Sequence, residues 1–142
     1  MDTLVLLTLC SAVFSNSVDG CFTPLGMKSG DIQDRQITSS SSATAGGKYH
    51  GPTYARLDRP RGDGSSTGSW SAAFKNCLQW IQADLGTMKY VSGIVLQGRQ
   101  GIDQWVTEYK VQYSSDGVKW RYVQDSDRIS DMVSSRNDKF EL

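Results

Sequence analysis

Residues 109–120, YKVQYSSDGVKW, decide the fold class of this chain. Aromatic or branched residues alternate with polar ones on both sides of Asp116-Gly117, as in a strand whose neighbouring side chains point to opposite faces. Asp-Gly between two such runs is a strong signal for a β-hairpin. We therefore predict two antiparallel strands, at residues 109–113 and 118–122, that are joined by a turn at 115–117.

Further short strands are predicted before this hairpin. They cover residues 36–42, 54–57, 79–85 and 90–97, and turn-forming stretches rich in Gly lie among them. No stretch shows sustained apolar spacing at three and four residues, so long helices are not expected. Many short strands with turns between them predict an all-β sandwich or jelly roll. Eight large residues are predicted to form its core: Trp80, Leu85, Ile94, Leu96, Tyr109, Val111, Tyr113 and Trp120.

The first twenty residues predict a secretory signal peptide. An apolar run covers residues 4–14, which is too short to span a bilayer at a rise of about 1.5 Å per residue but fits the apolar region of a signal. The alternative is an apolar N-terminal strand, since Asp2 stands where a signal usually has Lys or Arg. We expect residues 1–20 to be removed and residues 21–142 to form one exported domain.

The charge of the remaining chain argues against nucleic acid as a partner. Residues 1–20 contain Asp2 and Asp19 but no basic residue, so 15 basic residues then face 13 acidic ones and the net charge is +2. Generic nucleic-acid binding relies on a dense basic surface. Any electrostatic recognition by this chain must therefore be local.

Two cysteines, Cys21 and Cys77, remain after the signal peptide. In an oxidising compartment a thiol usually finds a partner. A disulfide between Cys21 and Cys77 is therefore one candidate, although their spacing alone does not establish the pairing.

Five segments in order resemble the discoidin domain, also called the coagulation factor V/VIII type C domain. They are residues 21–41 (CFTPLGMKSGDIQDRQITSSS), 54–57 (YARL), 79–86 (QWIQADLG), 93–99 (GIVLQGR) and 109–120. The resemblance implies an eight-stranded jelly-roll β-sandwich of the galactose-binding-domain type. It also implies a secreted or cell-surface module without catalytic activity that binds lipid headgroups, glycans, collagen or protein partners.

The resemblance further implies that the domain is incomplete at its C-terminus. A complete family domain continues past Leu142 with further strands, a Pro-Pro-x-x-x-Arg-like segment and a closing cysteine that pairs with the first one. On this interpretation the last strands are missing and Cys21 lacks its expected partner. A sheet edge that is left unpaired invites aggregation.

In the family, ligands bind to loops called spikes that project from one end of the barrel. By position, residues 43–48 correspond to the first loop, 58–69 to the second and 99–103 to the third. An aromatic platform and hydrogen-bonding groups on these loops suit a glycan or a protein ligand. The candidate ligand-binding residues are Lys48, Tyr49, His50, Arg99, Gln100, Ile102 and Asp103.

The second loop contains the triplet Arg61-Gly62-Asp63, which provides an alternative function, integrin-binding adhesion. A guanidinium and a carboxylate would be splayed from a turn, and the carboxylate would complete a metal site on the receptor. Pro60 restricts the approach to the triplet, whereas Gly62 and Gly64 permit a tight turn. The sequence thus predicts that the triplet is exposed on the second loop. Its recognition by an integrin stays an alternative function.

Binding of an anionic phospholipid such as phosphatidylserine is the second alternative. Inserting Ile102 would give roughly 1.5–3 kcal/mol, and each cation near an anionic surface about 1 kcal/mol. The carboxylates of Asp58, Asp63 and Asp103 offset part of this, so the dissociation constant is on the order of 0.1 mM or weaker. Stable anchoring normally takes two good signals. The candidate cations are Lys48, Arg59, Arg61 and Arg99.

Catalysis is not predicted. The chain has one histidine, His50, and no loop of the kind that cradles phosphates. Ser65 and Ser66 lie beside glycine in a turn and are interpreted as turn residues. The oxygens of Asp58 or Asp63 suit Ca²⁺ together with loop carbonyls, but nothing else in the sequence indicates a calcium site, and no cofactor is expected.

Overall fold

The computed structural model of the chain describes residues 23–60, 67–91 and 94–123. The predicted signal peptide, Cys21 and the triplet Arg61-Gly62-Asp63 lie outside these described residues. Within them the regular structure is short β-strands with two 3-10 turns, Asp34–Gln36 and Pro52–Ala55. No helix in the described ranges is long and apolar enough to cross a membrane. The all-β class is confirmed, whereas the eight-stranded jelly roll stays a prediction.

Six strands in the described part of the chain pair as three antiparallel couples. In pairing order they are β1 (Ile37–Ser39) with β4 (Ile81–Ala83), β2 (Thr44–Ala45) with β3 (Lys48–Tyr49), and β5 (Gln112–Tyr113) with β6 (Arg121–Tyr122). Strands predicted within residues 36–42, 79–85, 109–113 and 118–122 are thus confirmed, although each is shorter than predicted.

The β1–β4 pair shows why one predicted core residue is wrong. Ile37 lies opposite Ala83, and directly opposed residues place their side chains on the same face. Ile37 is only 3% exposed, so this face is the buried one. Trp80 directly precedes β4 and, by alternation, shares the opposite face with Gln82. Its side chain is accordingly 47% exposed.

The remaining core predictions have a mixed outcome. Val111 is buried, as predicted, and Ile32 and Ile37 complete the buried apolar set in the described part of the chain. Tyr113 is 38% exposed and its core assignment is wrong, because it ends β5 where the hairpin turn begins. The other predicted core residues are half-buried: Leu85, Ile94, Leu96, Tyr109 and Trp120.

The turn of the β5–β6 hairpin confirms the Asp-Gly prediction. The Asp116 carboxylate accepts hydrogen bonds from the amides of Val118 and Lys119, both at 2.8 Å. The hydroxyl of Ser114 accepts one from the amide of Gly117 at 2.9 Å. Gly117 has a φ of +69°, which costs glycine no steric penalty. Side chains at the turn therefore satisfy main-chain groups that the strands leave unpaired.

Two predicted strands are not found among the residues that the structure describes. Residues 54–57 fall in and after the 3-10 turn Pro52–Ala55, in which the amide of Tyr54 donates to the carbonyl of Gly51 at 3.0 Å. Proline at the first position of such a turn is favourable because its φ is already fixed near the helical value. The described residues of the predicted strand at 90–97 have no regular secondary structure.

Arg56 forms hydrogen bonds to the segment that precedes β1, residues 27–34. Its guanidinium donates to the carbonyls of Met27 and Ile32, both at 2.7 Å, and to the Asp34 carboxylate at 2.6 Å. The Arg56 side chain is only 11% exposed. Because the guanidinium presents several donors in a rigid plane, one side chain satisfies three acceptors at once.

Candidate functional site

The first predicted loop is the turn of the β2–β3 hairpin. Its two turn residues, Gly46 and Gly47, have φ values of +59° and +73°. A two-residue turn of type I′ requires positive φ at both positions, which glycine adopts readily. A Cβ at either position would meet nothing within 4 Å. The tip of this loop is therefore open and has no side chains.

Main-chain hydrogen bonds join the base of this hairpin to the end of the second loop. The amide of His50 donates to the carbonyl of Ala43 at 2.9 Å, and the amide of Ala43 donates to the carbonyl of Ser71 at 2.8 Å. The amide of Ser71 in turn donates to the carbonyl of His50 at 3.4 Å. The main chain of Ser71 thus links the base of the first loop to the end of the second loop.

Arg99 connects the third loop to the same base. Its Nε donates to the carbonyl of Thr67 at 3.2 Å, and its Nη1 donates to Oε1 of Gln104 at 2.8 Å. The amide of Arg99 also donates to the carbonyl of Gln104 at 2.9 Å, which closes the third loop. The three segments that meet here, residues 43–50, 67–71 and 99–104, are called the loop cluster below.

His50 lies beneath the surface of the loop cluster. Its side chain is only 4% exposed, and its Nδ1 lies 3.4 Å from the hydroxyl of Ser71. Burial lowers the pKa of His50, the positive charge of Arg99 lowers it further, and a hydrogen bond with the main chain of Ser69 raises it. A neutral, covered imidazole supports the loops from below and is not presented to a ligand.

The other candidate binding residues differ in exposure. Tyr49 is 55% exposed, and Gln100 and Asp103 are also exposed. Lys48, Arg99 and Ile102 are half-buried. The loop cluster thus presents one aromatic ring and several hydrogen-bonding groups, and Ile102 only in part.

The described start of the second loop is fixed by side-chain contacts. Asp58 has a φ of +54°, and its amide donates to the Gln97 side chain at 2.8 Å. Its carboxylate pairs with the ammonium group of Lys28. The Arg59 guanidinium lies 4.6 Å from the centre of the Tyr54 ring, a cation–π distance.

Asp58, a candidate Ca²⁺ ligand from the sequence, already has partners for its carboxylate. Its carboxylate is already bonded to the ammonium group of Lys28 and to the side-chain amide of Gln97. Among the described residues no group of three or more His, Cys, Asp or Glu side chains is placed to hold a metal ion. Asp63 lies outside the described residues.

Comparison with known proteins decides the family. A family model described as the F5/8 type C domain matches residues 36–141. The chain belongs to the F5/8 type C domain family. This confirms the resemblance drawn from the sequence segments.

The F5/8 type C domain has relatives among curated proteins. Mouse coagulation factor V is 37% identical over 123 residues, which is 84% of this chain and 6% of the relative. Pig lactadherin is 35% identical over 136 residues, or 92% of this chain and 32% of the relative. Human EGF-like repeat and discoidin I-like domain-containing protein 3 is 37% identical over 135 residues, or 92% of this chain and 27% of the relative. The chain thus spans about a third or less of these relatives.

Several residues that build the loop cluster in this F5/8 type C domain were not among the candidates from the sequence. Thr67, which is 1% exposed, accepts from Arg99 through its carbonyl. The main chain of Ser71 bonds to Ala43 and His50 in the first loop. The side chain of Gln104 accepts a hydrogen bond from Arg99. Their side chains have no distinctive chemistry, so only their positions beside predicted loops gave any signal.

Cys77 lies exposed on the surface and forms no disulfide with any residue that the structure describes. Its candidate partner Cys21 lies outside the described residues, so the disulfide stays a prediction.

Proposed function

We propose that this chain is an extracellular, non-catalytic binding module that recognises glycan or protein ligands at cell surfaces through its loop cluster. The observation that carries the proposal is the shared base of the three loops, built by Ser71 and Arg99 around the buried His50. Binding residues commonly lie on loops that a rigid scaffold positions. A base that is ordered before binding lowers the entropy cost of recognition.

The exposed groups of the loop cluster suit polar ligands. Tyr49 presents an aromatic surface, and Gln100 and Asp103 present an amide and a carboxylate. Such groups orient a ligand by hydrogen bonds, while the ring supplies apolar contact area. Export of the module after removal of residues 1–20 forms part of the same proposal.

One pair of side chains in the described residues, Ser71 and His50, resembles a catalytic pair, and its surroundings support the non-catalytic part of the proposal. The Ser71 hydroxyl lies 3.4 Å from Nδ1 of His50, but the ring is buried and the Arg99 charge opposes its protonation. A general base in acyl transfer must take up a proton and is stabilised by a carboxylate when it does so. Here the charge that acts on the imidazole is that of the Arg99 guanidinium, which has the opposite sign to a carboxylate.

A binding screen tests the proposal. The full chain is applied to arrays of glycans and extracellular-matrix proteins, and bound ligands are then tested against Gln100→Ala and Asp103→Ala. Because each variant loses one hydrogen-bonding group, we expect each to weaken binding roughly 3–10-fold. The matched control is Lys119→Ala, which lies in the β5–β6 turn. A ligand whose affinity falls with Lys119→Ala but not with the loop variants would argue against the loop cluster as the site.

Anionic phospholipid is the second candidate, and the Lys28–Asp58 pair favours it. By sequence, the negative charge of Asp58 opposes the loop cations, but in the structure Lys28 neutralises it. Against this, Ile102 is already half-buried, so inserting it into a bilayer adds less apolar contact than full burial would. Sedimentation with vesicles that contain or lack phosphatidylserine tests this candidate. If Ile102→Asp leaves vesicle binding intact, insertion of Ile102 is not the mechanism.

Integrin-binding adhesion through Arg61-Gly62-Asp63 stays an alternative, because the triplet lies outside the described residues. Its test is attachment of integrin-bearing cells to the immobilised chain. The change Asp63→Glu moves the carboxylate by one methylene and should abolish attachment, while the matched change Asp103→Glu should not. Attachment that Asp63→Glu leaves unchanged rules the alternative out.

A further inference from the structure

His50 joins the first two loops through both its main chain and its side chain. Its amide donates to the carbonyl of Ala43 at 2.9 Å, and its carbonyl accepts from the amide of Ser71 at 3.4 Å. Its Nδ1 also lies 3.4 Å from the Ser71 hydroxyl, and the side chain is only 4% exposed. The position of the imidazole is therefore coupled to the contact between the two loops.

The third loop brings a fixed positive charge to the same place. The Arg99 guanidinium is held by the carbonyl of Thr67 at 3.2 Å and by the side chain of Gln104 at 2.8 Å. Burial lowers the pKa of His50 most, and the charge of Arg99 lowers it further. A protonated imidazole would thus lie near a like charge in a covered site. Burying a charge without an opposite charge is strongly unfavourable.

The surroundings of the ring provide no compensating charge within the described part of the chain. Residues 67–71 contain no ionisable side chain. The ionisable side chains on the other elements around the ring are Lys48 and Tyr49 on β3, Tyr54 on the 3-10 turn, and Arg99 and Asp103 on the third loop. Of these, Arg99 is the group whose charge shifts the pKa of His50. No described carboxylate forms an ion pair that would stabilise the imidazolium.

The junction between the first and second loops is held by weak contacts. The bond from the Ser71 amide to the His50 carbonyl is 3.4 Å long, beyond the usual range for N–H···O bonds. Oγ of Ser69 is buried and has no hydrogen-bond partner among the described residues. Regions with few strong contacts open locally at the lowest free-energy cost. A proton on His50 is therefore accommodated most easily by opening this junction.

We propose that the loop cluster is a pH switch, in which protonation of His50 moves the imidazole out of the base and separates the second loop from the first and the third. In the closed cluster the ring is neutral and covered. In the open cluster it is charged and solvated, and the bonds of Ser71 to His50 and of Arg99 to Thr67 are broken.

The direction of the switch follows from the lowered pKa of His50. The closed cluster is fully populated above the ordinary histidine pKa of 6.5, and it is lost as the pH falls through 6.5 towards the lower pKa of the closed state. The effect on ligands rests on the proposed function, since the loop cluster is the proposed binding site. The opening itself occurs with or without a ligand.

Amide exchange and an imidazole titration by NMR test the opening in the full chain. His50 is the only histidine, so a single resonance reports its protonation, and no other side chain has an ordinary pKa between about pH 5 and pH 7.5. Protection factors, which remove the direct effect of pH on exchange, are measured across this range. For the amides of Ala43 and Ser71 we expect a roughly tenfold loss. Its ceiling is about 30-fold, because pH 5 lies about 1.5 units below 6.5.

The β5–β6 turn provides an internal control. The amides of Val118 and Lys119 donate to the Asp116 carboxylate, and their protection should stay within about twofold over the same range. An equal loss at the turn and in the loop cluster would show that the proton destabilises the whole domain and would overturn the switch. A loss whose midpoint does not follow the titration of the imidazole, or no loss at all, would overturn it as well.

The His50→Gln variant removes the titrating group but keeps a polar side chain at this position. Protection of the Ala43 and Ser71 amides should then vary by less than about twofold with pH. A pH-dependent loss in His50→Gln that equals the loss in the original chain would contradict the role of the imidazole. Thermal unfolding verifies that the variant is folded. If it is not, the internal control in the original chain decides.

Release from an array tests the consequence for binding. Immobilised glycans and extracellular-matrix proteins that retain the chain at about pH 7.5 are washed at about pH 5, and the original chain should leave roughly tenfold faster than His50→Gln. An array that retains nothing overturns the proposed function, whereas the exchange measurement still decides the switch. Retention followed by equal release of both chains would overturn the switch as a control of binding.

Discussion

The Nε of Arg99 donates to the carbonyl of Thr67 at 3.2 Å and so ties the third loop of the cluster to the second. The acceptor belongs to a residue that is 1% exposed, so solvent does not readily replace the bond. A single side chain thus links two loops of the cluster.

Replacing Arg99 by lysine should loosen the third loop. Lysine lacks the forked donors that reach both Thr67 and Gln104. We expect the free energy of unfolding to fall by about 1–2 kcal/mol and amide exchange in residues 99–104 to become faster. Urea unfolding and hydrogen exchange measure the two effects. Arg121→Lys on the exposed strand β6 is the control, and equal effects in both variants would contradict the linking role of Arg99.

The buried His50 should make the domain sensitive to mild acid. Its pKa is lowered from the usual 6.5, mainly by burial, so the unfolded chain takes up a proton before the folded one does. Stability is therefore complete above the unfolded pKa and decreases as the pH falls through 6.5 towards the lower folded pKa. Urea unfolding across this pH range should show the loss in the original chain and a smaller loss in His50→Gln. Parallel pH profiles for the two would refute the assignment.

Asp116 should remain ionised at a pH at which an ordinary aspartate is protonated. Hydrogen bonds from the amide of Lys119, then from the amide of Val118 and the hydroxyl of Ser114, lower its pKa from 3.8 to about 2. A carboxyl group with a lowered pKa stabilises the fold above its unfolded pKa, and that contribution is lost as the pH falls towards 2. A carboxyl NMR titration should give this midpoint. In Ser114→Ala the midpoint should rise, whereas in Ser115→Ala it should not change.

Arg56 should be the most costly of these residues to replace. Its removal leaves the carbonyls of Met27 and Ile32 without their donors, and unsatisfied groups of this kind cost about 1–3 kcal/mol each. We expect Arg56→Met to lower the free energy of unfolding by about 2–4 kcal/mol in urea titrations. Arg35→Met, at an exposed arginine of the first 3-10 turn, is the control. A loss below about 1 kcal/mol would mean that water replaces the guanidinium.

Local sequence chemistry was sufficient for part of the fold. Asp116-Gly117 determines its turn through contacts between residues 114 and 119, and β1 lies in an Ile-Thr-Ser run that suits a short strand. The 3-10 turn at Pro52 was missed because Tyr54 and Leu57 suit a strand, while the proline before them fixes a helical φ. Trp80 was placed in the core because its size favours burial, although the register of β1 on β4 turns it outward.

The sequence predicted where the candidate site lies, but not which of its residues are buried supports and which are exposed. Glycines and polar residues marked the three loops, and the structure joins their bases. The depth of His50 depends on Ser71 and Arg99, which are 21 and 49 positions away in the chain. Such contacts are set by packing between distant segments, which no local pattern encodes.

The Gly46-Gly47 turn has a consequence for how this scaffold diversifies. A Cβ at either position would meet nothing within 4 Å, while the main-chain hydrogen bonds that fix the hairpin lie three residues away, at Ala43 and His50. Residues that tolerate positive φ can therefore be grafted at the apex without disturbing its foundation. Two amino-acid exchanges there would change the chemistry of the apex alone, so a library randomised at these positions would vary one exposed loop on an unchanged framework.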